Sequence, residues 1–216
     1  MLMSRLPGAV DIFCHDDDYL GRLASMPLRI HAFRPAEGAW PREYQSWAFV
    51  SKFEVPPWST DDGLYKRAFE ILGEPAPSYD ATFIHRDFHP ANVLWLDGEI
   101  TGVVDWVETS TGPVDLDVAH CVSNVASLHG VECAVAFREA YLASGGFLER
   151  DPDANRYWQL MDLEGFLPEP SGRESGATGT TMTDVWRANG RPDLTVELAR
   201  SRREDLLRAI LSGRLT

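Results

Sequence analysis

The stretch that most limits what this chain can fold into is residues 81–106, where short apolar runs bracket a polar loop and a tight turn. Ala81-Thr82-Phe83-Ile84 reads as a short buried strand. A polar loop, His85 to Asn92, follows it. Val93-Leu94-Trp95-Leu96 and Ile100 to Val104 are β-rich runs joined by Asp97-Gly98, a dipeptide that supplies the positive φ angles of a two-residue hairpin. Such a hairpin returns Asp105 beside Asn92 at its open end, because paired strands lie about 5 Å apart.

That arrangement gathers one kind of chemistry. Phosphoryl transfer needs a carboxylate to orient the attacking hydroxyl and accept its proton, and magnesium held by oxygen ligands against the phosphates. The loop offers His85-x-Asp87-x-x-x-x-Asn92, and the hairpin adds Asp105. Singly, loop aspartates and asparagines are turn-formers that bond their own backbone. Together, strand, loop, hairpin and returning aspartate form a motif with a mechanism. A rival reading takes His85, Asp87 and His89, at alternate positions, as the metal cluster of a hydrolase. It leaves the pairing of Asn92 with Asp105 without a role, and no further His or Cys lies at ligand spacing nearby.

The rest of the chain reads as mostly helical. Met1 to Gly8 suggests a short strand broken at Pro7-Gly8, and Asp16 to Asp18 open a helix that Pro27 should kink or restart. Residues 33–57 are irregular, with a helix expected near Tyr44 to Phe53. Further helices are expected from Thr60 or Asp61 to Leu72, Val114 to Leu128, Glu132 to Ser144, Asp153 to Leu163, from about Thr183, and Thr195 to Leu211. In the last, Val196, Ala199, Leu206 and Ile210 should face inward. Pro168 to Thr180 has the composition of an exposed loop. His31, His120 and Cys121 are expected to be packed helix residues, and Asp115 a charge at a helix N-terminus.

A net charge of -13 with only two lysines, Lys52 and Lys66, argues against a nucleic-acid partner, which would need clustered cations. Cys14, Cys121 and Cys133 form no C-x-x-C pair and suggest neither a disulfide framework nor a zinc site. No apolar run approaches membrane-spanning length, and no signal-peptide pattern opens the chain. A cytoplasmic protein with no membrane partner is expected.

His85-Arg86-Asp87-Phe88-His89-Pro90-Ala91-Asn92-Val93-Leu94 resembles the catalytic loop of the aminoglycoside phosphotransferase family, which shares the protein-kinase fold. Gly102-Val103-Val104-Asp105-Trp106 resembles that family's second metal motif, and the aspartate of Gly112-Pro113-Val114-Asp115-Leu116-Asp117-Val118-Ala119 its loop anchor. The resemblance implies an α+β, mostly helical, kinase-like carboxy-terminal lobe whose small β-hairpin carries the metal site. It further implies Asp87 as catalytic base, Asn92 and Asp105 as Mg2+ ligands, His85 and Asp117 as supports of the loop, and ATP or GTP as phosphate donor. His89 and Glu108 are candidate substrate or site contacts. Asp162, Glu164 and Glu169 fall where the family builds its acceptor pocket, without individual roles.

A complete member of that family also has an amino-terminal lobe with a phosphate-covering loop and a lysine for the nucleotide. Neither precedes the catalytic loop here. Residues 1–8, with Met3, Ser4 and Arg5, resemble instead the hinge whose backbone meets adenine, and residues 9–216 the carboxy-terminal lobe. The expectation is a fragment of a longer enzyme; the competing reading is a short natural protein that binds nucleotide without the lysine. The implied function is ATP- or GTP-dependent O-phosphorylation of a small polar acceptor, an aminoglycoside or another cationic molecule, with antibiotic resistance as one biological setting. Its non-enzyme alternative is a catalytically silent lobe that binds a ligand or partner.

Overall fold

In a computed structural model, which describes residues 5–167 and 182–215, seven α-helices pack around two small antiparallel sheets. The elements are β1 (Ala9–Val10), α1 (Asp17–His31), α2 (Asp62–Leu72), β2 (Thr82–Ile84), β3 (Val93–Leu96), β4 (Glu99–Val103), β5 (Ser110–Gly112), α3 (Val114–His129), α4 (Val131–Ala143), α5 (Pro152–Gly165), α6 (Met182–Ala188) and α7 (Val196–Leu211). One sheet has the order β1-β3-β4 and the other pairs β2 with β5.

The hairpin forms where the sequence places it. Asp97 and Gly98 take φ of 51° and 79°, the left-handed pair that matches the twist of the flanking strands. Register runs Val93↔Val103 and Leu94↔Gly102, then slips to Trp95↔Ile100, so Thr101 is an extra, bulged residue. Its hydroxyl donates to Pro7 O and Leu94 O, which ties the incoming chain to the sheet. Leu6 packs over Gly102, where a Cβ would lie 2.5 Å from Leu6 Cδ1 and push that side chain aside. Among the described residues the first strand is Ala9–Val10, after the Pro7-Gly8 break; Met1–Ser4 of the expected strand lie outside them.

α3 is the central helix. Every residue from Val114 to Val122 is buried, and the helix packs against α1, α4, α5 and α7. A helix covered all round lacks a polar stripe, and its buried polar residues, Asp115, Asp117, His120 and Asn124, are each hydrogen-bonded. The core joins Leu20, Leu23 and Ile30 of α1 to Leu116, Val118 and Val122 of α3, Phe137 and Tyr141 of α4, Trp158 of α5 and Leu206 to Leu211 of α7. A satellite cluster of Ile12, Leu128, Trp186 and Leu194 holds α6 against the end of α3.

Three local expectations fail for physical reasons. α1 runs unbroken through Pro27: its neighbours Leu23, Ala24 and Ile30 are buried and Asp16 caps the start, and this packing outweighs one lost backbone hydrogen bond. Residues 44–53 form no α-helix; Glu43 bridges to Thr111, and a single 3₁₀ turn covers Val50–Lys52. Val196 faces solvent at 43% exposure because Thr195 caps α7 and the fully buried stripe begins only at Glu204, about two turns later. The expected loop from Pro168 to Thr180 and the residue Glu169 lie outside the described residues.

Candidate active site

The catalytic-loop candidate is fixed from behind by Asp117, in the first turn of α3 and fully buried. Its carboxylate accepts from the backbone N–H of His85 (2.8 Å) and of Arg86 (2.6 Å), and faces His31 Nε2 at 3.1 Å. Burial would raise Asp117, but the His31 hydrogen bond and charge and these donors hold it below the usual carboxylate range. Arg86 adopts φ +72°, a conformation costly for a residue with a Cβ, and the paired bonds from Asp117 hold it there.

The same turn sends the Arg86 side chain inward. Its guanidinium lies 3.7 Å from the Trp47 ring centroid and its Nη1 lies 3.3 Å from Asp162 of α5. His85 bridges to the hairpin: Nε2 donates to Val104 O at 3.0 Å, Nδ1 accepts from Asp87 N–H at 3.3 Å, and Trp106 lies 4.4 Å away, ring to ring. Burial lowers the His85 imidazole, consistent with a neutral ring that donates through one nitrogen.

Asp87 emerges from the loop with its side chain 28% exposed. Asn92 donates through Nδ2 to Asp87 O (2.9 Å) and Asp87 Oδ2 (3.1 Å), and Asn92 O accepts from Val104 N–H at 2.9 Å. The backbone pairing thus sets Asn92 one residue from Asp105 across the hairpin mouth. Asp105 is exposed, takes the left-handed φ of 62°, and opens the 3₁₀ turn Trp106–Glu108. The donor set suits a hard cation. With the Asn92 amide nitrogen committed to Asp87, its carbonyl oxygen is free of that bond, and Asp105 adds an exposed carboxylate.

His89 is buried, not open to solvent. Its Nδ1 accepts from Ala91 N–H at 3.3 Å, capping the turn Pro90–Asn92, and its Nε2 lies 3.7 Å from Asp87 Oδ1. Burial pushes it down to about 4. Glu108 pairs with Arg42 at 2.9 Å on the surface. Of the hinge-like residues only Arg5 is described, and it is exposed.

Two residues with no motif around them complete the site. His120, in the middle of α3 and 1% exposed, lies 3.0 Å from Asp87 Oδ1 through Nε2 and 3.0 Å from Asp162 Oδ1 through Nδ1. Burial opposes the charge on His120, but Asp162 and then Asp87 outweigh it and lift the imidazole to about 9. Burial would likewise raise Asp87, yet His120 holds it at about 2. No further His or Cys lies at ligand spacing in sequence, but the fold supplies one from α3: ligand atoms of Asp87, His89 and His120 lie within 4.8 Å of one another, while His85 turns away to Val104. The acids of α5 are also not free to meet an acceptor: Asp162 is bound to Arg86 and His120, and Glu164 to Arg203 at 2.9 Å. Asp115 is more than a helix-terminal charge, since it is buried and accepts from Asn155 Nδ2 at 2.6 Å and from Glu149 N–H.

A family model described as the phosphotransferase enzyme family matches residues 1–157. The chain belongs to this family. No curated protein matches the sequence of this phosphotransferase-family chain. Among solved structures, it is similar to a macrolide 2'-phosphotransferase from Brachybacterium faecium, with 20% identity, 96% of this chain and 68% of that one covered, and a TM-score of 0.50. It is also similar to a choline kinase from Streptococcus pneumoniae (13% identity, 94% and 66% covered, TM-score 0.53). A third is a spectinomycin phosphotransferase in complex with ADP and spectinomycin (12% identity, 99% and 70% covered, TM-score 0.53). At these identities the likeness shows a common fold, and this member of the phosphotransferase family spans about two thirds of each neighbour's length.

Proposed function

We propose that the chain carries the reaction centre of a nucleotide-dependent O-phosphotransferase that acts on a hydroxyl of a small polar molecule. The observation that carries this reading is one cluster: a part-exposed Asp87 bonded to Asn92, whose main chain is paired to the residue before Asp105. Asp87 is the base that orients the acceptor hydroxyl and takes its proton. Asn92 and Asp105 would hold magnesium, which when bound neutralises charge on the phosphates. His85 ties the loop to the hairpin, and Asp117 holds the strained Arg86 that aims Asp87. The oxygen donor set supports a hard cation over zinc at this position.

ATP or GTP is the donor under this reading, in keeping with the ADP of one structural neighbour. The acceptor class follows from charge: a chain at -13 with carboxylates at the site favours a cationic molecule such as an aminoglycoside or an amino alcohol. Residues 1–8 are proposed as the adenine-side hinge and residues 9–216 as the carboxy-terminal lobe of a longer kinase-like unit.

The test is transfer itself. The chain is incubated with Mg-ATP and an aminoglycoside, spectinomycin, a macrolide or choline, and phosphorylated acceptor is measured by mass spectrometry. Product is expected with at least one acceptor and should fall about 100-fold or more in Asp87→Asn. Product formed equally well by Asp87→Asn would remove Asp87 from the reaction. Absence of product together with absence of Mg-ATP binding would favour a silent, ligand-binding lobe.

A further inference from the structure

His120 stands thirty-three residues beyond Asp87, on another element, and no part of the catalytic-loop motif includes it. Both of its ring nitrogens nevertheless meet carboxylate oxygens at 3.0 Å, Nε2 on Asp87 and Nδ1 on Asp162. An ionised carboxylate only accepts hydrogen bonds, so both nitrogens must donate, and a ring that donates twice is an imidazolium. Asp162 in turn receives Nη1 of Arg86, the covalent neighbour of Asp87. The four side chains form a line in which charges alternate and sum to zero, Asp87, His120, Asp162, Arg86, and the backbone joins its two ends. Such balance is what buried charge requires.

The groups facing His120 come from several elements. The catalytic loop presents Asp87, Arg86, His89 and His85, and α5 presents Asp162. Asn124, one turn along α3, donates through Nδ2 to His120 O at 2.8 Å; the same amide nitrogen lies 3.2 Å from His120 Nε2, and its commitment to the carbonyl leaves Nε2 to donate to Asp87. The rings of Trp47 and Phe166 cover the imidazole at 5.6 and 5.3 Å between centroids. Water has little access to compete for these bonds.

A metal ion could claim the same atoms, because Asp87, His89 and His120 converge. The hydrogen bonds speak against it. His89 Nδ1 accepts from Ala91 N–H, which leaves the ring proton on Nε2, the atom that a metal held with Asp87 would need. The proton shared between His120 and Asp87 occupies the second such atom.

We propose that His120 is a positioning residue for the phosphotransfer base, an imidazolium that clamps Asp87 Oδ1 and is itself held by Asp162. This role rests on the phosphotransferase reading; the charge state of His120 does not. The clamp fixes the rotamer of Asp87 and keeps it ionised, leaving the exposed part of the carboxylate for the acceptor hydroxyl. As pH rises through about 9 the imidazolium loses its proton, the clamp opens, and turnover declines. Asp87 itself needs no neutral pH to stay charged.

The experiment is a pH series of long-range 1H–15N spectra on the full chain with 15N-labelled histidine. One histidine should keep both ring nitrogens protonated through pH 8, vanish from the spectrum in His120→Gln, and titrate at least one pH unit lower in Asp87→Asn. Asp87→Asn and the unaltered chain keep the test decisive if His120→Gln does not fold. Where ATP turnover is measurable, His120→Gln should lower kcat about 10-fold or more, leave KM for Mg-ATP unchanged and erase the alkaline limb of the pH profile. A neutral His120 at pH 7.5, or a zinc ion bound stoichiometrically by Asp87, His89 and His120, would overturn the proposal. If Mg-ATP fails to bind while His120 is doubly protonated, the phosphotransferase reading fails and the charge bridge stands; the reverse result sinks the bridge alone.

Discussion

At the scale of single residues, Asp117 and Asp105 illustrate opposite costs. Asp117 is a buried carboxylate that gathers two backbone donors and His31, and removing its charge strips those donors of their acceptor. Asp117→Ala should destabilise the chain by about 3–5 kcal/mol, the range for breaking a buried charged network, as read by chemical denaturation. A loss under about 1 kcal/mol would mean that the loop does not depend on it. Asp105 is exposed and left-handed, so its backbone cost of about 1–3 kcal/mol is met by the hairpin and the following turn rather than by its own contacts. That His85, Asp87 and Asn92 share one loop beside the hairpin was legible in sequence, because strand, loop and turn follow one another directly. His120 and Asp162 were not. Each lies in the interior of a helix whose pattern explains it as core, and only the crossing of α3, α5 and the loop makes them partners.

At the scale of elements, the hairpin was legible because Asp97-Gly98 dictates the turn and two β-rich runs flank it. The bulge at Thr101 was not, since it answers to a distant requirement: Leu6 and Pro7 must cross the sheet over Gly102. Helix bounds followed caps closely, as with Asp16, Asp61 and Thr195, whose side chains accept from the first turn. α1 shows where local rules yield. Proline has a fixed local cost, but the apolar stripe on either side of Pro27 belongs to the shared core and decides the outcome. Residues 44–53 carry four aromatic side chains without a helical period, and their conformation is set by what they cover: Trp47 lies on Arg86, and Tyr44 packs edge-on against Trp158.

At the scale of the whole molecule, the buried histidines predict a stability optimum. His89 and His129 are pushed down to about 4, chiefly by burial, so between the ordinary histidine value of about 6.5 and about 4 the unfolded chain binds more protons than the folded one. Stability falls as pH drops through that window. His120 behaves in the opposite sense: raised to about 9, it contributes fully below about 6.5 and loses that contribution as pH rises towards 9. Scanning calorimetry from pH 4 to 10 should show the highest unfolding temperature near pH 6.5, with decline on both sides. His120→Gln should flatten the alkaline side. A monotonic rise of stability from pH 6.5 to 9 would contradict the assignment.

The proposed phosphotransfer requires the mouth of the β3–β4 hairpin to be a magnesium–nucleotide site beside an ionised base. Calorimetric titration of the chain with ATP, with and without magnesium, tests it most directly. Binding should depend on magnesium and weaken about 10-fold or more in Asp105→Ala, while the folded fraction stays unchanged because Asp105 is exposed. ATP binding of equal strength without magnesium, or unaffected by Asp105→Ala, would contradict it.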